Sequence, residues 1–154
     1  MDQSMTKRKA RQRLKRYDHS AIFVLIASTF TPVCLLALPG QRGYPLLLIV
    51  WLFALIGVLQ CIVWILAPKW LTSLFYVVFG WLALPYIGEL RTSLGDGNVA
   101  LLALGGVFFT VGAVLYSLKR PKMWPIVFGY HELFHIFTIV AAILHFIVVH
   151  QLIR

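Results

Sequence analysis

Five long apolar runs dominate the pattern of this chain, and charged or turn-forming residues separate each run from the next. The runs cover residues 19–38, 44–67, 70–87, 99–118 and 131–153. A helix needs about 20 apolar residues to cross the hydrocarbon core of a bilayer, and each run is close to that length. The pattern therefore predicts an all-α fold, a polytopic membrane helix bundle with five transmembrane helices.

Glycines and prolines mark the four breaks, because these residues interrupt helices for steric reasons. They are Pro39, Gly40, Gly43 and Pro45 in the first break, Pro68 in the second, the segment 88–98 in the third, and 119–122 with Pro125 in the fourth. Pro32 and Pro85 fall inside the first and third runs, where we expect each of them to kink its helix.

The composition agrees with a membrane protein. The chain of 154 residues is 60% hydrophobic and only 12% charged, with a mean hydropathy of +0.86. A soluble domain is nearer half apolar and one quarter charged. So short a chain cannot bury all of its apolar residues in one small core, so most of them must face lipid or other helices.

A strongly basic segment precedes the first run. The formal net charge is +9, and seven of the fourteen Lys and Arg residues lie between Lys7 and Arg16. Such a charge can indicate nucleic-acid binding, but a cluster beside a membrane span favours contact with anionic lipid headgroups. We therefore divide the chain into a basic cytoplasmic leader, residues 1–16, and a transmembrane bundle, residues 17–154, with membrane lipids and no nucleic acid as partners.

The charges between the runs predict an orientation, because basic residues are enriched in cytoplasmic loops. With the N-terminus inside, eleven basic residues lie on the inner side and three, Arg42, Arg91 and Arg154, on the outer side. The sequence predicts a multi-pass protein of the plasma (inner) membrane with a cytoplasmic N-terminus and an external C-terminus. We expect the first run to be a retained span and not a cleaved signal peptide, since it is long and four more spans follow. The tryptophans, which should act as interfacial anchors near span ends, are Trp51, Trp64, Trp70, Trp81 and Trp124.

Three ionisable residues share one level in this topology, near the inner leaflet. Asp18 lies where the first span begins, and His131 and His135 lie where the last one begins. The two histidines are four residues apart, so a helix presents both imidazoles on one face. Imidazole is a zinc ligand, and the helix N-terminus near His131 favours the neutral ring that binds metal. The spacing indicates a candidate metal centre.

Each of these residues also has a structural interpretation. Asp18 is a candidate N-cap for the first helix, where the helix dipole favours an anion. The histidines are equally well explained as interfacial side chains that form hydrogen bonds with their neighbours. Two ligands do not make a site, because a catalytic zinc needs three protein ligands and a water.

The remaining polar, cysteine and small residues of the spans are expected to be structural. Gly105, Gly106 and Gly112 predict close approach of helices, and the cysteines predict packing without a disulfide. The individual expectations are an interfacial His19, a first-turn acid at Glu132, a packed or hydrogen-bonded His145, a solvated His150, and buried thiols at Cys34 and Cys61.

Several segments together resemble a known membrane family. YDHSAIF at 17–23 and IASTFTP at 26–32 resemble the third helix of the hemolysin III family, which belongs with the progestin and adipoQ receptors. HELFH at 131–135, followed by His145 and Phe146, resembles the last helix of that family. FGWL at 79–82 and the spacing of the helix glycines before Tyr116 fit the helices between, so the resemblance covers nearly the whole chain from Arg16 onward.

The resemblance implies a seven-helix fold, with the N-terminus inside and zinc near the cytoplasmic leaflet. His131 and His135 match the two zinc histidines of the family's last helix, and Asp18 matches the acid thought to hold or activate the zinc-bound water. The family has two further helices before the first run, and the second of them supplies a Ser and a third zinc histidine. We expect a truncated chain that lacks these two helices; a separately supplied segment or a decayed copy are the alternatives.

These implications lead to a functional hypothesis. When complete, the protein is expected to be a zinc-dependent hydrolase of a lipid amide or ester, with Asp18 as the catalytic residue and His131 and His135 as metal ligands. The alternative is a non-enzymatic protein, either membrane-perturbing like a hemolysin or lipid-sensing like a receptor, with structural histidines. A third possibility is an inactive five-helix chain.

Overall fold

The computed structural model describes residues 3–38, 40–64, 67–120 and 129–154. This part of the chain is built from five α-helices and two short 3-10 helices, and it contains no strand. The helices are α1 (Gln3–Leu36), α2 (Gly43–Val63), α3 (Lys69–Gly80), α4 (Ile87–Leu118) and α5 (Tyr130–Ile153), with 3-10 turns at Gly40–Arg42 and Leu84–Tyr86. The predicted all-α fold is confirmed. Pro39, Pro121, Lys122, Trp124 and Pro125, which were assigned to breaks or interfaces, lie outside the described residues.

Four helical stretches of the described chain are long and apolar enough to cross a membrane by length and composition. They are Lys9–Leu36, Gly40–Val63, Lys69–Leu118 and Tyr130–Ile153. The third has 50 residues, which as one straight helix would measure about 75 Å. Since the apolar core of a bilayer is only about 30 Å thick, this stretch cannot be a single straight span.

The 50-residue stretch folds back on itself. Near one end, the Lys69 ammonium lies 5.0 Å from the ring centroid of Tyr116. Further along α3, the rings of Tyr76 and Phe109 are 6.1 Å apart. Residue numbers that rise along α3 are thus matched by numbers that fall along α4, so the two helices run antiparallel. The chain direction alternates through five passes, although α3 has only 12 residues.

The segment 88–98 was predicted to be a loop, and this prediction is wrong. Helix α4 begins at Ile87 and continues to Leu118, with one break in helical geometry at Gly95, where φ is 77° and ψ is 162°. Leu90 and Leu94 are buried, because their spacing of four places both on the face that packs on the bundle. Only glycine adopts such a φ at low cost, so the chain redirects at this one residue.

The two prolines inside the predicted spans have different outcomes. Pro32 lies inside α1, as expected. The predicted third span ends early, because α3 stops at Gly80 and Pro85 lies in the 3-10 turn that follows. A proline lacks the backbone donor that a continuing helix needs, which is consistent with α3 ending before Pro85.

Helix α1 starts about four turns before the first apolar run. It extends from Gln3 without interruption through the basic segment, because Lys, Arg and Gln favour helix and no Gly or Pro occurs there. Asp18 therefore lies in the middle of a helix. The interpretation of Asp18 as an N-cap is wrong, since a mid-helix residue has no free amide groups to cap.

Buried aromatic rings and glycines hold the bundle together. Phe23 of α1, Tyr76 of α3 and Phe134 of α5 are almost fully buried, with ring centroids 4.6 Å apart for the first pair and 5.9 Å for the second. A Cβ on Gly112 would stand 2.7 Å from Cβ of Phe137, and one on Gly105 would stand 2.5 Å from Nε2 of His145. The predicted close approach of helices at the glycines is confirmed.

Other packing predictions give a mixed outcome. Cys34 and Cys61 are free and buried, as expected of packing residues. Trp64 and Trp70 flank the ends of α2 and α3, as anchors should. Trp51 lies well inside α2 and Trp81 donates a hydrogen bond of 2.9 Å to the Thr110 hydroxyl of α4, so the anchor interpretation does not apply to these two.

Candidate metal centre

Helices α1 and α5 bring the three candidate residues together at one end of the bundle. Asp18 Oδ2 lies 3.3 Å from Nε2 of His131, and Asp18 Oδ1 lies 3.2 Å from Nε2 of His135. The two Nε2 atoms are themselves 3.2 Å apart. Asp18 of α1 thus meets two histidines of α5 that lie at least 113 positions further along the chain.

The spacing of these atoms can be compared with that of zinc ligands. Ligands placed tetrahedrally at 2.0–2.1 Å from zinc stand about 3.3–3.4 Å from one another. All three distances among Asp18, His131 and His135 are within about 0.2 Å of that value, and each imidazole faces a different oxygen of Asp18. Among the described residues this is the group of His, Cys, Asp and Glu side chains that could hold a metal ion. The donor set, two imidazoles and one carboxylate, is also one that zinc accepts.

A buried polar atom without a partner marks the same place. Asp18 Oδ2 has almost no contact with solvent, and the described residues offer it no hydrogen bond of acceptable geometry. Buried oxygens are rarely left unsatisfied. The residues therefore fit a cation, which would satisfy the carboxylate and both ring nitrogens together.

The start of α5 fixes the two imidazoles. Gly129 precedes the helix in an extended conformation, and its N–H donates a hydrogen bond of 2.9 Å to Oε2 of Glu132. Such a capping interaction satisfies an amide that a helix start leaves free. Glu132 is thus the first-turn acid that the sequence predicted. The side chains of His131 and His135 remain 39% and 36% exposed, so the centre is open to a ligand.

His19 is a member of this site that the sequence analysis placed elsewhere. It was expected to be interfacial, but it is buried, with 8% of its surface exposed. Its Nδ1 lies 2.9 Å from the backbone oxygen of Lys15 and 3.6 Å from Oδ2 of Asp18. Its ring stacks on that of His131 with centroids 6.3 Å apart. The signal that could have found it was its adjacency to Asp18 in the resembling motif.

The hydrogen bonds of His19 define its tautomer. A backbone oxygen only accepts hydrogen bonds, so Nδ1 carries the proton that points to Lys15. In the neutral ring Nε2 is then an acceptor, and the Tyr116 hydroxyl, 2.9 Å away, donates to it. The Tyr76 hydroxyl in turn donates to the backbone oxygen of His19 at 3.0 Å. Helices α3 and α4 therefore hold the segment of α1 that carries Asp18.

The other histidines of α5 take no part in the centre. His145 Nε2 lies 3.2 Å from the backbone oxygen of Leu102 and packs against Gly105, which confirms the predicted hydrogen-bonded histidine. His150 is exposed in the last turns of α5, as predicted. His131 and His135 at the start of α5 are therefore separate from His145 and His150.

An open cavity of about 380 Å³ lies beside the centre. Asp18, His131 and Tyr130 line it, together with the cationic side chains of Arg11, Lys15 and Lys69. Cavities of this size hold small ligands or parts of larger ones. The centre is therefore reached through a space that carries positively charged side chains.

The chain is similar to known membrane-family proteins. A family described as haemolysin-III related matches residues 2–146. A hemolysin-3 homolog of Bacillus subtilis is 37% identical over 136 residues, which cover 88% of this chain and 61% of the relative. The hemolysin-3 of Bacillus cereus is 34% identical over 122 residues, which cover 79% of this chain and 53% of the relative.

These curated relatives are longer than the chain described here. The match spans between about half and three fifths of their length. No solved structure matches the chain significantly.

Proposed function

Because the chain belongs to the haemolysin III family of membrane proteins, we propose that the complete protein is a zinc-dependent hydrolase of a lipid amide or ester. His131 and His135 bind the metal, and Asp18 is the catalytic residue. The observation that carries this proposal is the triangle of Asp18, His131 and His135, with edges of 3.2–3.3 Å. An open metal centre with a nearby carboxylate is suited to hydrolysis, because the metal can activate a water and the carboxylate can accept its proton.

Each residue of the triangle has a role in this chemistry. Zinc, when bound, polarises a carbonyl and makes water a nucleophile near neutral pH. His131 and His135 donate Nε2 lone pairs from neutral rings. Asp18 orients the attacking water and accepts its proton. This chain thus offers two imidazole ligands with a carboxylate beside them, and the complete protein would supply the third ligand of a catalytic zinc site.

The network behind Asp18 positions the carboxylate. His19, held by Tyr116 and by the backbone oxygen of Lys15, fixes the turn of α1 next to Asp18. A fixed carboxylate needs no reorganisation when it receives a proton, which lowers the barrier of a general-base step. His19 and Tyr116 are therefore positioning residues and do not touch the substrate.

The surroundings of the centre suit a lipid substrate. Large apolar side chains are exposed along all five helices, as expected where lipid covers a bundle. We place the protein in the plasma (inner) membrane with the N-terminus in the cytoplasm, which puts the centre near the inner leaflet. The support for this orientation is the excess of basic residues in the segments at that side.

Replacement of Asp18 tests the hydrolase. In purified protein loaded with zinc, Asp18→Asn should slow hydrolysis of a fluorogenic N-acyl amide or acyl ester by about 100-fold or more, because the water loses its proton acceptor. Asp96→Asn, which removes the same charge from the opposite end of the bundle, should leave the rate unchanged. Turnover of neither probe by the full-length protein, or equal rates for the two variants, would refute the proposal.

The name of the Bacillus cereus relative, hemolysin-3, favours a second candidate, perturbation of membranes without catalysis. The basic extension of α1 would then bind an anionic surface. Dye release from anionic vesicles distinguishes the two candidates. Release by Asp18→Asn at the rate of the unmodified protein, without hydrolysis by either, would favour the second one.

A further inference from the structure

The described carboxylates are all engaged, and the basic residues beside the metal centre have none of them as a partner. Asp18 faces two imidazoles, Glu89 pairs with Arg42, Asp96 pairs with Arg91, and Glu132 accepts from the amide of Gly129. Within residues 3–38, 40–64, 67–120 and 129–154, no ion pair involves Arg11, Lys15 or Lys69. Any counter-ion that binds these three cations therefore comes from outside this part of the chain.

The three cations line one ligand-sized space. Arg11, Lys15 and Lys69 lie on the wall of the cavity of about 380 Å³ that also contains Asp18 and His131. Three positive side chains and one carboxylate, which is itself turned toward the imidazoles, give the cavity a net positive charge. An anion in this space would lie directly beside the candidate metal centre.

Lys69 is held in place by aromatic groups and not by a charge. Its Nζ donates a hydrogen bond of 2.5 Å to the Tyr130 hydroxyl and lies 4.2 Å from that ring's centroid and 5.0 Å from the centroid of Tyr116. Cation–π contacts fix an ammonium without neutralising it. Two further N–H donors of Lys69 therefore remain for a ligand.

A second, smaller cavity meets the first at Lys15 and Lys69. Arg16 lines it, and the Nε atom of Arg16 is buried without a hydrogen-bond partner among the described residues. Buried donors of this kind are normally satisfied. Arg16 thus adds a further positive charge next to Lys15 and Lys69.

We propose that this cavity binds a phosphate group, so that the substrate of the hydrolase is a lipid with a phosphate-bearing headgroup. The cluster of Arg11, Lys15 and Lys69 would bind the phosphate while the amide or ester bond lies at the Asp18–His131–His135 centre. Arg and Lys side chains with free donors are the groups that bind phosphate in proteins. The assignment to a substrate rests on the proposed hydrolase, whereas phosphate binding itself does not require the metal.

Binding to full-length protein in neutral detergent tests the proposal, with a chelator present so that the result does not depend on zinc. Dioctanoyl phosphatidic acid and dioctanoylglycerol differ only in the phosphate. The first should bind at least about tenfold more tightly than the second, since it gains charge-assisted hydrogen bonds. Equal affinities would overturn the proposal. Competition by inorganic phosphate would show that phosphate alone suffices, and its failure to compete would assign the site to lipid-borne phosphate.

Charge-matched variants separate the cavity from the general positive charge of α1. Lys15→Gln and Lys69→Gln should each weaken phosphatidic acid binding about tenfold. Lys9→Gln, on the same helix but away from the cavity, should weaken it by less than about threefold, and Lys69→Arg should retain most of it. Equal losses for Lys9→Gln and Lys15→Gln would overturn the site in favour of a diffuse basic surface. Phosphate binding without zinc binding would refute the hydrolase alone.

Discussion

The two ends of the bundle differ in how their charged residues are used. At the end that contains the chain turns after α1 and α3, cations and anions pair directly: Arg42 with Glu89, and Arg91 with Asp96. At the opposite end a single carboxylate, Asp18, faces two imidazoles. The first end uses its charges to join segments of the fold. The second holds polar groups in excess of what folding needs, which is typical of a functional site.

The largest expected difference between the two ends is in the stability that is lost when a glycine of α4 is replaced by alanine. Gly112→Ala would place a Cβ 2.7 Å from Cβ of Phe137 and push α5 away from α4 near the histidine pair. We expect a loss of about 1–3 kcal/mol in the free energy of unfolding, measured by thermal or denaturant unfolding in detergent.

The same substitution at the other end of α4 is the matched control. A Cβ on Gly88 would meet no atom within 4 Å, so Gly88→Ala should be neutral or stabilise the helix by up to about 1 kcal/mol. Equal destabilisation by both variants would contradict the packing described for α4 and α5.

A smaller effect is expected from the hydroxyl that supports the site. Tyr116→Phe removes the donor to Nε2 of His19 and leaves that buried nitrogen without its partner. This should cost about 1–2 kcal/mol. It should also lower kcat of the proposed hydrolase more than it raises KM, because the positioning of Asp18 is disturbed. A rate of hydrolysis that Tyr116→Phe leaves unchanged would argue against a positioning role.

The smallest effect is expected at the paired end. Arg42→Gln removes the partner of Glu89, but the Arg42 side chain is 71% exposed. Exposed ion pairs contribute about 0–1 kcal/mol, and the loss should shrink further at high salt. A loss larger than that of Tyr116→Phe would reverse the contrast between the two ends.

The membrane-bundle character and the meeting of Asp18 with His131 and His135 could be anticipated from sequence. Apolar runs of span length give the helices, alternating passes bring the starts of the first and last apolar runs to one level, and a spacing of four aligns the two imidazoles. These features depend on local periodicity and on chain direction, which a sequence displays directly.

Three other features could not be anticipated, for physical reasons. The start of α1 is hidden because Lys, Arg and Gln form helix as readily as apolar residues do. The segment 88–98 contains turn-forming glycines, yet Leu90 and Leu94 gain enough from burial to keep it helical on both sides of Gly95. The burial of His19 depends on Tyr116, 97 positions away, and such a contact has no local signature.

The metal content of the purified, full-length protein tests the central claim most directly. Elemental analysis should find about one zinc per chain, a near-complete loss in His131→Ala and His135→Ala, and no change in His145→Ala, which removes a histidine from the same helix outside the triangle. Absence of zinc from the unmodified protein, or equal zinc in all three variants, would contradict the account.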